Sequence, residues 1–296
     1  MVKYDELGYS SMEEYLQDFQ QSLLRTTHTY DYFVDWVKVE QNAKEHIVEY
    51  GLLNSLTLIN SPDERRELLR RLLREHPKLL MAVPILLAVR ESELEVAELT
   101  DQVIYRQFDF SQTSKDQVDK MVAFCEKVGI LELLGKVKDV YSYVLGAEVG
   151  LDSNARKNRS GEVFKKMVDN LLTITEQELS KEGVRVYHKA EVKLTDLGIS
   201  QSEKKQVDFM VYESGRPVAA CEANVYNTQG SKPTEIIRSY THLNDLLKPR
   251  GIKFLWYTDG PGWNLMWNAF EGGAWNVDYV MNYTIGMKRT KSLLQS

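Results

Sequence analysis

Cysteine is nearly missing from this chain: Cys125 and Cys221 are the two it has in 296 residues, far apart in sequence. That excludes a disulfide framework or a cysteine-rich zinc cluster and makes a reducing, cytoplasmic setting the default. Histidine is scarce too, and His28, His46, His76, His188 and His242 show no metal-ligand spacing. No apolar run reaches the roughly 18 residues of a membrane span. The opening MVKYDELGYSSMEEY is too acidic and polar for a secretory signal, so no membrane partner is expected. An excess of positive charge is also lacking: 37 Lys and Arg stand against 43 Asp and Glu, a net charge of −6. Since DNA binders are usually basic, the average argues mildly against nucleic acid. The phosphate-loop pattern GxxxxGK[ST] is absent, which leaves TDGPGW at 258–263 as a glycine-rich turn near a set of core tryptophans.

What remains is an ordinary globular composition, 43% hydrophobic and 27% charged, long enough for one large domain or two modest ones. Residues 1–145 read as mostly helical. Apolar positions in SMEEYLQDFQQSLL and ERRELLRRLLREHPKLL recur every three to four residues, and LLMAVPILLAV reads as a buried segment broken near Pro84. Gly129 and Gly135 mark further breaks. Nothing in that stretch has catalytic or metal-ligand spacing, so it is assigned to dimerisation or to wrapping a duplex. Residues 146–296 have a different texture. GAEVGLDSNARKNRSG, rich in turn formers, reads as a loop, with Ser160 as N-cap of a helix that buries Phe164, Val168, Leu171 and Leu172. VRVYHKA, KQVDFMVY and PVAACEANVY read as strands, with ESGRP as a hairpin turn. KPTEIIRSYTHLNDLLKP is a helix with Ile236, Tyr240, Leu243 and Leu247 inward, and IKFLWYTD is a buried strand. The order αβββαβ predicts an α/β fold, a mixed sheet flanked by helices.

Chemistry concentrates on two of these strands. Alternation puts Asp208 on the face opposite Val207 and Phe209, while Glu222 sits in AACEA, where an unpaired carboxylate is costly to bury. Two carboxylates on adjacent strands make a hard oxygen site suited to Mg²⁺, which polarises a phosphodiester and eases deprotonation of water. The plainer reading is a hairpin with two charges at a sheet edge, and the element order favours the metal. A metal nuclease usually places Lys two residues after such a Glu, and here that position is Asn224, which positions groups by hydrogen bonds but carries no charge. Lys232, in NTQGSK, is the candidate for the missing cation. ARKNRSGEVFKK carries five basic residues against one Glu, so Asn154, Arg156, Lys157, Asn158 and Arg159 suit phosphates and base edges at a helix start. Glu162 fits either the first-turn dipole of that helix or a third carboxylate of the metal site.

With those residues in place, the chain resembles the DpnII family of type II restriction endonucleases. The resemblance rests on YDYFVDWVKV (30–39), GLLNSL (51–56), HPKLLMAVPILLAVRESELEV (76–96), EVGLDSNARKNRSG (148–161), VDFMV, CEANVYNTQGSK (to 232) and FLWYTDGPGW (254–263). It implies a PD-(D/E)xK-type core and a Mg²⁺-dependent endonuclease that cuts double-stranded DNA, usually at 5′-GATC-3′ and as a homodimer. It also implies a cognate DNA adenine methyltransferase as functional partner. It places Asp208 and Glu222 as metal ligands, with Ser231 of the GSK segment among the DNA contacts. Asn224 departs from the wider superfamily but matches the E-x-N of the family itself. TQGSKP, where relatives tend to have a glycine pair, and EVF, where they show small residues and a later Glu, are local departures. The alternative is a sequence-specific DNA-binding protein on a degenerate nuclease fold.

Overall fold

Proline and glycine punctuate the helical half as their backbone preferences dictate, and period-two runs build the strands. The computed structural model describes residues 2–99, 103–111, 117–153, 156–199, 205–229 and 233–295, without the side chains of 31, 153, 156–158 and 274. In chain order the elements are α1 (Met12–Gln21), α2 (Trp36–Lys44), α3 (Ile47–Asn54), α4 (Pro62–Glu75), α5 (Val83–Leu86), β1 (Glu93–Leu99), β2 (Val103–Asp109), α6 (Val118–Lys127), α7 (Ile130–Leu134) and α8 (Val140–Ser153). There follow α9 (Arg156–Lys181), β3 (Val186–Lys193), β4 (Gln206–Glu213), β5 (Arg216–Val225), α10 (Pro233–Leu247), β6 (Lys253–Asp259), α11 (Gly262–Leu265), α12 (Trp267–Ala274), β7 (Tyr279–Met281) and α13 (Tyr283–Gln295). Among the described residues no helix is long and apolar enough to cross a membrane.

The chain divides into two compact units, 31–156 and 1–30 with 157–296, each with its own buried apolar cluster. The first is helical around Leu53, Leu56, Leu79, Leu80, Met121 and Phe124. Pro77 and Pro84 each open a short helical segment, where the missing N–H costs nothing. Gly129, at φ +84°, separates α6 from α7. One feature departs from the helical reading: β1 and β2 form an antiparallel hairpin, with Glu93 opposite Asp109 and Leu99 opposite Val103. Glu93, Leu94, Glu95 and Val96 open it with a period of two.

A second departure concerns the expected loop at 146–161. α8 runs to Ser153 and α9 starts at Arg156, so Ser160 lies inside a helix and is not its N-cap. The reason is a buried stripe of spacing four, Val140, Val144, Glu148 and Asp152, whose last two members are polar. Glu148 accepts from Asn42 Nδ2 (2.9 Å) and Arg90 Nη2 (2.5 Å), and Asp152 accepts the Asp35 N–H (3.1 Å). Apolar periodicity fades there although the helix continues, because paired polar groups fill the inward positions.

In the other unit the strand order is β3-β4-β5-β6-β7, antiparallel through β5 and parallel from β5 to β7. The predicted αβββαβ series corresponds to α9 through β6, and β7 extends the sheet by one short strand. Ser214 and Gly215, at φ +49° and +82°, make the two-residue turn between β4 and β5. α9 buries Phe164, Val168, Leu171 and Leu172 as predicted; on α10 it is Ile237, one place beyond Ile236, that is fully buried. Alternate residues of β6 face opposite ways. Phe254 and Trp256 meet Tyr240 of α10 edge-on, whereas Tyr257 shares a hydrogen bond with Thr290 of α13. α1 belongs to this unit: Tyr15 Oη donates to the Val280 carbonyl (2.9 Å), and Phe19 stacks on Phe270.

Candidate active site

Register brings the two acids together. Phe209 pairs with Cys221, so the neighbouring positions Asp208 and Glu222 lie opposite each other on the other face of β4 and β5. The backbone N–H of Ala223 donates to Asp208 Oδ2 (2.8 Å), and Tyr240 Oη donates to Glu222 Oε2 (3.2 Å). Tyr240 is itself fixed between the rings of Phe254 and Trp256. Burial and then the charge of Asp208 raise the Glu222 carboxyl to about 8; a hydrogen bond shared with Asp208 adds to this, against the opposing pull of Tyr240 and Lys165. A like charge on the adjacent strand disfavours the ionised form of Glu222. The donor set therefore fits a divalent ion, which would relieve the like-charge pair. Among the described residues no group of three or more His, Cys, Asp or Glu is placed to hold one, so the candidate set is this pair.

A cation that the sequence reading did not single out stands beside it. Lys165, on α9, makes an ion pair with Asp208 Oδ1 at 2.7 Å and is about one-third exposed. Burial works to lower its pKa, but the hydrogen bond and charge of Asp208, with the charges of Glu162 and Glu191, outweigh it and hold the ammonium above its ordinary value. Glu162 is exposed, one turn before Lys165 on the same helix. Glu191 sits on β3 where the ladder passes from Ala190–Phe209 to Val192–Val207, beside Asp208, at φ +52°. A non-glycine residue in that region costs of the order of 1 kcal/mol and is a mark of functional sites. No spacing rule links Lys165 to Asp208, which is why sequence alone did not find it.

Asn224 and Tyr226 follow Glu222 at alternate positions of the chain, Asn224 still within β5. Trp256 Nε1–H donates to Asn224 Oδ1 (3.1 Å), so the amide turns its Nδ2 away from the indole, and that buried Nδ2 has no partner. The Tyr226 hydroxyl is likewise buried without a partner, and burial pushes it up to about 12, which keeps it a donor. TDGPGW supports this end of β5. Gly262 N–H donates to the Tyr226 carbonyl (2.6 Å), and a Cβ on Gly260 would lie 2.5 Å from the same oxygen. Of the four tryptophans read as core, Trp256 and Trp263 are wholly buried and Trp267 and Trp275 half-buried, and Trp263 Nε1 donates to Thr258 Oγ1 (2.8 Å). Asn227 Nδ2 reaches Thr27 Oγ1 (2.9 Å) and Ser160 Oγ (3.1 Å), binding the strand exit to α9.

Of the remaining candidates, Asn154, Ser231 and Lys232 lie outside the described residues, as do the side chains of Arg156, Lys157 and Asn158 in the first turn of α9. Arg159, in the following turn, is half-buried.

The family model described as DpnII restriction endonuclease matches residues 15–291 of this chain. Type II restriction enzyme MjaIII of Methanocaldococcus jannaschii is 31% identical over 265 residues, 84% of this chain and 88% of that one. Type II restriction enzyme MboI of Moraxella bovis is 31% identical over 276 residues, covering 90% and 92%. Type II restriction enzyme DpnII of Streptococcus pneumoniae is 31% identical over 248 residues, covering 80% and 83%.

Proposed function

Because the chain belongs to the DpnII restriction endonuclease family, we propose that it is a Mg²⁺-dependent type II deoxyribonuclease that cuts double-stranded DNA at 5′-GATC-3′. The observation that carries this reading is the pair Asp208 and Glu222, opposed on adjacent strands, with Glu222 raised to about 8 by burial and by the charge of Asp208. These two would hold the ion. When bound, it supplies Lewis-acid chemistry, polarising the phosphodiester and easing deprotonation of water. The water oxygen forms a bond to phosphorus, one P–O ester bond breaks, and the leaving oxygen takes a proton. The chain's own part is orientation: Ala223 N–H and Tyr240 Oη fix one oxygen of each carboxylate, so the pair is preorganised. Glu162 joins the set as an outlying carboxylate.

The start of α9 suits DNA. Arg156, Lys157, Asn158 and Arg159, with Asn154 before them and Ser231 after β5, are the proposed contacts. The helix end adds positive potential toward phosphates. A palindromic target suits a two-fold homodimer, and adenine methylation by a cognate methyltransferase would mark the host's own sites. Asn224 in place of the superfamily lysine favours a second reading, a DNA-binding protein on a degenerate nuclease fold.

Incubation with plasmid and Mg²⁺ separates the two. The endonuclease gives discrete fragments with ends at GATC, and Asp208→Ala or Glu222→Ala loses at least about 10³-fold in cutting rate. A shifted but uncut plasmid supports the binder, and full cutting by either variant removes the site assignment.

A further inference from the structure

Asn224, two residues after Glu222, leaves a physical gap: an amide cannot supply the charge that a lysine at that position would bring. We propose that this protein divides the task, with Lys165 of α9 supplying the cation at the scissile phosphate and Asn224 Nδ2 and Tyr226 Oη supplying the directed hydrogen bonds. The inference rests on the nuclease reading above and adds three working residues to it.

Three observations converge. Lys165 is a cation in contact with the carboxylate pair, 2.7 Å from Asp208 Oδ1, and it comes from a helix whose neighbouring Phe164 and Val168 are fully buried. Its backbone is therefore fixed while its ammonium stays about one-third open to an incoming group. Asn224 is oriented, since an amide that accepts from Trp256 Nε1–H must present its NH₂ as the free end. That orientation suits an oxygen with lone pairs, such as a phosphate oxygen or the water. Tyr226 Oη, two residues further along the chain, is a second donor or acceptor buried without a partner. Buried polar groups are almost always satisfied. Two orphans in succession, next to a carboxylate pair with a lysine, are what an anionic substrate would complete. The sequence reading offered Lys232, outside the described residues, for the charge; the ion pair with Asp208 makes Lys165 the candidate among the described ones.

The test compares Lys165→Met, Lys165→Gln, Asn224→Ala and Tyr226→Phe in three measurements. These are the cutting rate at saturating Mg²⁺ and duplex, duplex affinity in Ca²⁺ by fluorescence anisotropy, and the rise in melting temperature on Ca²⁺ titration. Both Lys165 variants are expected to lose about 10²–10³-fold in kcat, as when a preorganised donor is removed from a transition state, with duplex affinity nearly unchanged. Asn224→Ala and Tyr226→Phe are expected to lose about tenfold or more by the same logic. Asn224→Lys introduced into Lys165→Met is expected to recover at least tenfold, because it returns the charge from the strand. If Lys165→Met and Lys165→Gln keep kcat and bind Ca²⁺ more tightly, Lys165 is only a counter-ion of Asp208 and the proposal falls. If instead Asp208→Ala and Glu222→Ala also keep cutting, it is the nuclease site itself that fails.

Discussion

A buried carboxyl raised above its ordinary range makes stability depend on pH. Glu222 titrates near 8 in the folded protein, above the ordinary carboxylate range. The folded chain therefore holds more protons than the unfolded one across that window, and stability in EDTA falls as pH rises from about 5 to about 8, by at most about 1.4 kcal/mol per pH unit. Glu222→Gln removes the titrating group and flattens this slope, while a divalent ion added near pH 8 restores stability to the wild type and not to the variant. Melting curves over that range measure it; a slope unchanged in Glu222→Gln contradicts a raised Glu222. Asp208 and Glu222 were legible because strand alternation and a short turn set their register locally. Lys165 was not, since an ion pair between a helix and a strand leaves no periodic trace. Nor was the orientation of Asn224, which depends on Trp256 from a parallel neighbour.

Elements carry the site only as well as their ends are held. β5 stops where the glycines of TDGPGW let backbone meet backbone. A Cβ on Gly262 would lie 2.6 Å from the Tyr226 carbonyl and would overlap that of Thr228 as well. Gly262→Ala must therefore push the segment after β5 aside. We expect a loss of about 1–3 kcal/mol, typical of overpacking, in urea denaturation. A fall in cutting should accompany it, because Asn224 and Tyr226 move with that segment. Wild-type cutting by a destabilised variant would show that the turn serves the core alone. The turn was visible as glycine and proline in sequence, but its purpose was not. The α8–α9 region failed for a related reason: Glu148 and Asp152 hold buried helix positions through Asn42, Arg90 and the Asp35 N–H. Only tertiary pairing makes a carboxylate act as a core residue.

At the scale of the molecule a net charge of −6 must coexist with a proposed polyanionic substrate. Binding then rests on local basic groups, which act within a Debye length of about 8–10 Å. Each Lys or Arg that neutralises a phosphate contributes roughly 0.9 to the slope of log K against log salt. Replacing Arg156, Lys157 and Arg159 together with Ala is expected to lower that slope by about 2–3 for a GATC duplex in Ca²⁺. An unchanged slope places the phosphate contacts elsewhere. The mixed sheet of the second half was legible, whereas the turn-rich reading at 146–161 was not, since α8 continues to Ser153. That residues 1–30 pack with the sheet, and that the helical unit carries a β-hairpin, was not. Long-range packing joins segments whose local patterns are independent.

The sequence by itself determined the αβββαβ series, the hairpin that carries Asp208 and Glu222, and the family. Each of these is written in local periodicity, turn chemistry or residue-by-residue likeness. The tertiary structure decided which cation meets the carboxylates, which way Asn224 faces and why Glu222 lies near 8. Those depend on side chains from α9, α10 and β6 meeting at one place, and on burial that exists only once they have met.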